Sequence, residues 1–140
     1  MTGVWKIWMR VWFAAALLFG AALSLAAVPG ADGPARWLLA TIGGDPALAA
    51  MLDQPVMRFA FGLQGALTIG WMLTLMAAVQ GAEAVGPALW RKILVAMLAW
   101  YVIDGAISVM TGFPMNAVSN TLLTVGFLIP VLGSGVLRRT

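Results

Sequence analysis

Apolar residues gather along this chain in four long runs, separated by links rich in glycine, proline or charge. None of the runs alternates in the way that a membrane β-barrel strand requires. Each reaches the roughly 20 residues that a helix rising 1.5 Å per residue needs to cross a ~30 Å hydrocarbon core. Lipid offers the backbone no hydrogen bonds, so helices are the remaining way to span it. The pattern predicts an all-α integral membrane protein: a single transmembrane domain over 1–140, forming a four-transmembrane-helix bundle. Its helices are expected over about 5–28, 56–80, 89–112 and 114–137.

The first run also resembles a secretory signal peptide, since Lys6 and Arg10 precede it and Ser24-Leu25-Ala26-Ala27 follows it. Its apolar stretch is long for a signal, and it is read as helix 1. The link over 29–55 is expected to carry short interfacial helices in the first outer loop. Asp45-Pro46 supplies an N-cap and a first-turn proline, and the stretch 34–42 is similarly apolar. The link over 80–89 reads as a simple inner turn, and Gly112-Phe113-Pro114 as a tight outer one. Pro130 should kink helix 4, and Gly133-Ser134-Gly135 should loosen its end.

Composition agrees: 62% of residues are hydrophobic and only 9% charged, against about 25% charged in soluble proteins. The net charge of +3 does not point to nucleic acid, because the eight basic residues are scattered and form no stripe. They sort by side instead. Lys6, Arg10, Arg91, Lys92, Arg138 and Arg139 fall on one side of the predicted bundle, leaving Arg36 and Arg58 on the other. The positive-inside bias then places both termini in the cytoplasm and the chain in the plasma (cell inner) membrane. Trp5, Trp8, Trp12 and Trp90 are expected to anchor the inner interface.

Cysteine and histidine are both absent. That excludes disulfide and thiol chemistry, the usual haem and zinc ligands, and a Ser–His–Asp site. Two families of small membrane proteins are excluded with them. Four-helix quinone-linked thiol oxidases need cysteine pairs, and small multidrug transporters carry a glutamate in helix 1, where this chain has none. The nine methionines read as lipid-facing or core filler, not as metal ligands.

What chemistry remains lies in polar pairs four residues apart, which share a helix face. They are Gln64 and Thr68 on helix 2, Asp104 and Ser108 on helix 3, and Asn120 and Thr124 on helix 4, with Gly20 and Ser24 as an addition from helix 1. Counted from the outer helix ends, the three pairs lie roughly 6–15 Å deep, in one layer of the outer leaflet. Asp104 is the sharpest of them. An unpaired charge there costs about 2.5–3.5 kcal/mol on insertion scales. Asp104 is therefore expected to be neutral and to donate a hydrogen bond to Gln64 or Asn120, with Arg58 pointing elsewhere. Trp100-Tyr101 in mid-helix 3 is expected to pack between helices. Interhelical bonding is the simpler account of the amides and hydroxyls, while for Asp104 a functional and a structural account stand level. Gly62, Ala66 and Gly70 form a small-residue ridge on helix 2 for close helix packing.

The expectation for function is a small non-catalytic polytopic membrane protein, an accessory or stabilising subunit of a larger membrane complex. The alternative is a small proton- or cation-coupled transporter or channel using Asp104. No paired carboxylates, activated nucleophile or phosphate loop supports an enzyme. No cofactor or metal is predicted, and a bound lipid or quinone is the ligand that the polar layer would suit. Expected partners are membrane lipids and other membrane subunits, or further copies of the chain.

Overall fold

A computed structural model describes residue 1 and residues 3–138; Arg139, counted above among the basic residues, lies outside the described residues. All regular structure in them is helical. Helix α1 covers Val4–Ser24 and continues as a 3₁₀ turn over Leu25–Ala27; α2 covers Gly33–Gly43. A 3₁₀ segment, Pro46–Asp53, follows before α3 at Pro55–Val85, α4 at Pro87–Met110 and α5 at Pro114–Gly133. Four of these helices, α1, α3, α4 and α5, are long and apolar enough to cross a membrane.

Proline and glycine punctuate the chain. Pro55, Pro87 and Pro114 open α3, α4 and α5, where the missing N–H has no intrahelical partner to lose. Between α3 and α4 the only non-helical residue is Gly86, at φ 95°. The expected turn over 80–89 is therefore corrected: α3 runs on through Ala82, Glu83 and Ala84, all compatible with a helix, until the backbone must reverse at Gly86. Asp45 caps the 3₁₀ segment as expected, accepting from the Ala47 N–H at 2.8 Å.

The two ends of the bundle differ. At the Gly86 end the core is dense: Met72, Trp90, Met97, Phe127 and Val131 are fully buried among Trp12 and Phe13. Trp12 and Trp90 are core residues here, a correction to their expected interfacial place. The Trp12 ring packs edge-on to Phe13 at 5.1 Å, and its Nε1–H donates to the Leu123 carbonyl at 2.8 Å. Trp8 donates to the Gly126 carbonyl at 2.8 Å. Pro130, four residues on, has no N–H to offer that carbonyl, so the indole supplies the bond that the proline removes.

Helix packing is closest between α1 and α3. A Cβ built on Gly65 would strike the Ser24 nitrogen and the Gly20 carbonyl, and one on Gly62 would meet the Ala27 Cβ at 2.9 Å. Of the expected ridge, Gly62 meets α1's 3₁₀ extension, whereas Ala66 is exposed and Gly70 has open space around it. Gly65 carries the crossing instead, because α1 approaches the face one residue round from the ridge.

At the other end α2 and the 3₁₀ segment fold across the bundle, burying Ala35, Leu39 and Leu52 against Met57 and Phe61. A charge network fastens them. Arg36 bridges Asp32 at 3.0 Å and Asp53 at 2.7 Å and donates to the Ala49 carbonyl; Arg58, on α3, holds Asp32 at 2.7 Å and the Ala26 carbonyl at 3.1 Å. The Arg36 guanidinium, helped by Arg58, keeps the Asp32 carboxyl below the usual carboxylate range against the opposing effect of burial. A depressed native pKa adds stability above the unfolded value of about 4, and this is lost as the pH falls through the native value. Acidification is accordingly expected to raise amide exchange over 33–53, corrected for its intrinsic pH dependence, and Asp32→Asn should abolish that acid step. An unchanged acid step in the variant would show that another group holds α2 down.

Candidate functional site

The link between α4 and α5 sets the site. Gly112 turns the chain at φ 85°, and the Phe113 N–H donates to the Ser108 carbonyl at 2.8 Å. An antiparallel helical hairpin centred on residue 112 brings position 108 opposite 116 and position 104 opposite 120. The side chains at all four positions are polar.

They form one cluster. Asp104 Oδ1 accepts from Asn120 Nδ2 at 2.6 Å, from Asn116 Nδ2 at 3.0 Å and from Ser108 Oγ at 3.1 Å. Ser108 Oγ also donates to the Asp104 carbonyl at 2.7 Å and accepts from Asn116 Nδ2 at 2.8 Å. Ser108 and Asn120 are buried, while Asp104 and Asn116 are half-buried. The donor role expected of Asp104 is thus reversed, since every bond to Oδ1 comes from a neighbour's hydrogen. Asp104 Oδ2 has no hydrogen-bond partner among the described residues.

Oδ2 belongs to a residue lining a cavity of about 660 Å³, within the size range of small-molecule sites. Trp71 and Trp100, with ring centroids 5.0 Å apart, form its floor; Leu38, Leu39 and Ile42 of α2 roof it. Phe19 and Leu23 of α1 and Phe61 and Leu67 of α3 make an apolar wall opposite the cluster.

The expected polar layer is partly assembled here. Asp104, Ser108, Gln64, Thr68 and Asn120 all line the cavity. Gln64 does not reach Asp104: it is exposed across the space, and its backbone carbonyl accepts from Thr68 Oγ1 at 2.8 Å. Ser24 Oγ bonds the Gly20 carbonyl at 3.0 Å at the α1–α3 crossing, outside the cavity. Arg58 is occupied by Asp32, away from Asp104. Asn116 lies four residues before Asn120 on α5 and so belongs to the same i,i+4 row, but pairing Asn120 with Thr124 left it out; its bonds to Asp104 and Ser108 run across the hairpin. Reflecting positions 104 and 108 through Gly112 would have found it.

Thr124 is a different case. It is buried, lies outside the cavity lining, and its Oγ1 has no partner among the described residues. A buried hydroxyl without a bond costs about 1–3 kcal/mol. Thr124→Val keeps the shape and removes the hydroxyl, so thermal unfolding should show it equal to the wild type or more stable by about 1 kcal/mol. A destabilised variant would mean that this hydroxyl has a partner.

The arrangement places one carboxyl group in a largely apolar cavity whose other lining residues are not ionisable. No protein-family model, curated protein or solved structure matches this chain.

Proposed function

We propose that the chain is a small non-catalytic protein of the cell inner membrane, a transporter or channel in which Asp104 binds the coupling proton or cation. One observation carries this reading: Asp104, bonded three times through Oδ1 and with no hydrogen-bond partner at Oδ2 among the described residues, lines a cavity among apolar helices. An intramembrane carboxylate is costly, and binding a cation or a proton is what offsets that cost. Its partners at Oδ1 explain the shape of the site and leave the second oxygen without a structural use.

In this reading the helices cross the bilayer with α2 and the 3₁₀ segment at the outer interface and both termini in the cytoplasm. Lys6, Arg10, Arg91, Lys92 and Arg138 gather at the Gly86 end, in keeping with the positive-inside bias. At the α2 end, Arg36 and Arg58 are each paired with acids.

Reconstitution into liposomes tests the proposal. The wild-type chain is expected to carry a proton or cation flux, and Asp104→Asn to lose it while remaining helical and monodisperse. Flux equal to that of protein-free liposomes, or flux indifferent to Asp104→Asn, would overturn it. A second reading, an accessory subunit of a larger complex, is favoured by the face of α3 that carries Ala66, Gly70 and Thr74. That face is exposed, and nothing among the described residues lies within 4 Å of a Cβ built on Gly70. Purification in mild detergent with mass spectrometry of bound partners separates the two, because only the subunit reading demands a stoichiometric foreign protein.

A further inference from the structure

Resting on the reading of Asp104 as a cation site, we propose that the cavity takes a lipophilic organic amine, bound as its ammonium, and not a bare metal ion or a quinone. Three features of the cavity point the same way.

The first is charge. Asp104 is the only ionisable residue among those lining the space, so a neutral ligand would leave its carboxylate without a counter-charge and an anionic ligand would be repelled. The second is hydrogen-bond polarity. A quinone offers carbonyl acceptors and needs donors. Within the cluster the Asn116 amide hydrogens and the Ser108 hydroxyl are already directed at Asp104, at Ser108 or at the backbone, so that one Asn120 hydrogen and the Gln64 amide across the space are the donors left for such a ligand. The open group, Oδ2, is an acceptor, which suits an N⁺–H donor at charge-assisted strength.

The third is size and wall chemistry. A volume of about 660 Å³ far exceeds a dehydrated metal ion. Metal ions of the hard class also need about six converging oxygens, whereas Gln64 and Thr68 are the polar residues that α1 and α3 contribute to the lining, among Phe19, Leu23, Phe61 and Leu67. Trp100 lies one helical turn before Asp104 on α4, and its ring is paired with Trp71. A cation seated on Oδ2 is therefore within reach of an indole face, which attracts ammonium groups through the ring quadrupole. The ammonium end is recognised by Asp104 and Trp100, and the apolar remainder fills the space beneath Leu38 and Leu39 of α2.

The test uses the full chain in lipid nanodiscs, with empty nanodiscs subtracting partition into lipid. Two probes of matched shape, 1-naphthylmethylamine and 1-naphthylmethanol, are compared by equilibrium dialysis near neutral pH, where the amine is protonated. The amine is expected to bind about tenfold more tightly than the alcohol, the factor that corresponds to 1.4 kcal/mol. Asp104→Asn should erase that preference while leaving alcohol binding unchanged, since asparagine keeps an acceptor for Asn116 and Asn120. Trp100→Leu is the second variant, expected to weaken the amine severalfold more than the alcohol. Excess sodium chloride should compete weakly.

Equal binding of amine and alcohol, with the wild type and Asp104→Asn alike, would overturn the amine assignment yet leave the cavity as a ligand site. Strong competition by sodium would overturn it in favour of a metal cation, and the coupling role of Asp104 would stand. If neither probe binds above empty nanodiscs, the amine assignment fails, and the liposome flux then decides alone whether Asp104 couples an ion.

Discussion

Gly65→Leu is expected to destabilise the protein by about 3 kcal/mol, the upper part of the range for overpacking, because the added side chain meets backbone and not another flexible group. The obstructing atoms are the Ser24 nitrogen and the Gly20 carbonyl of α1. Neither can rotate away, so the two helices must part along the most extensive interface in the bundle. Separation would also withdraw Phe19 and Leu23 from the cavity wall. Gly70→Leu, on the same helix, is the control: nothing lies within 4 Å of its Cβ position, and surface changes of that kind stay within about 0.5 kcal/mol. Denaturant titration in detergent, followed by circular dichroism, measures both. If the two variants unfold together, α1 does not cross α3 at Gly65.

The second large effect belongs to Asp104. Asp104→Leu removes the acceptor shared by Asn116, Asn120 and Ser108. The stranded donors face an apolar cavity and α5, and the expected loss is about 2 kcal/mol. That value lies above the ~0.6 kcal/mol average for a single hydrogen bond between membrane helices, because several bonds go at once. Asp104→Asn retains an acceptor oxygen at the same reach and should lose less than about 1 kcal/mol. The pair of variants separates architecture from charge: leucine tests the α4–α5 staple, and asparagine tests what the negative charge does in the cavity. Unfolding curves that coincide for leucine and wild type would mean that the cluster does not hold α4 to α5.

The two predictions share a feature of this fold. With hydrophobic residues abundant on every side of the long helices, burial discriminates weakly among arrangements. Leu18, Leu73, Val102 and Leu132 are well exposed, as suits residues that would face lipid. Helix positions are instead selected by close backbone approach at glycines and by a few hydrogen bonds, so single substitutions at those points carry more weight than equal changes on the apolar faces.

Much of this was legible along the chain. The number, kind and approximate limits of the four long helices follow from run length and from Pro55, Pro87 and Pro114, because backbone satisfaction and proline geometry are local demands. The helical pieces of the 29–55 link follow from the Asp45-Pro46 start and the apolar stretch beside Trp37. Asp104, Ser108 and Asn120 could be singled out as one layer, since depth depends only on rise per residue. Tertiary structure alone decided the rest. Which face of α3 meets α1 depends on how two apolar surfaces rotate against each other, and their composition hardly distinguishes Gly65 from Ala66 or Gly70. Trp12 carries the same indole whether it sits at an interface or in a core; the Leu123 carbonyl and the Phe127 ring offered by α5 settled it. Gln64 and Asp104 share a height but stand on opposite sides of a cavity, for depth is one coordinate and contact requires three.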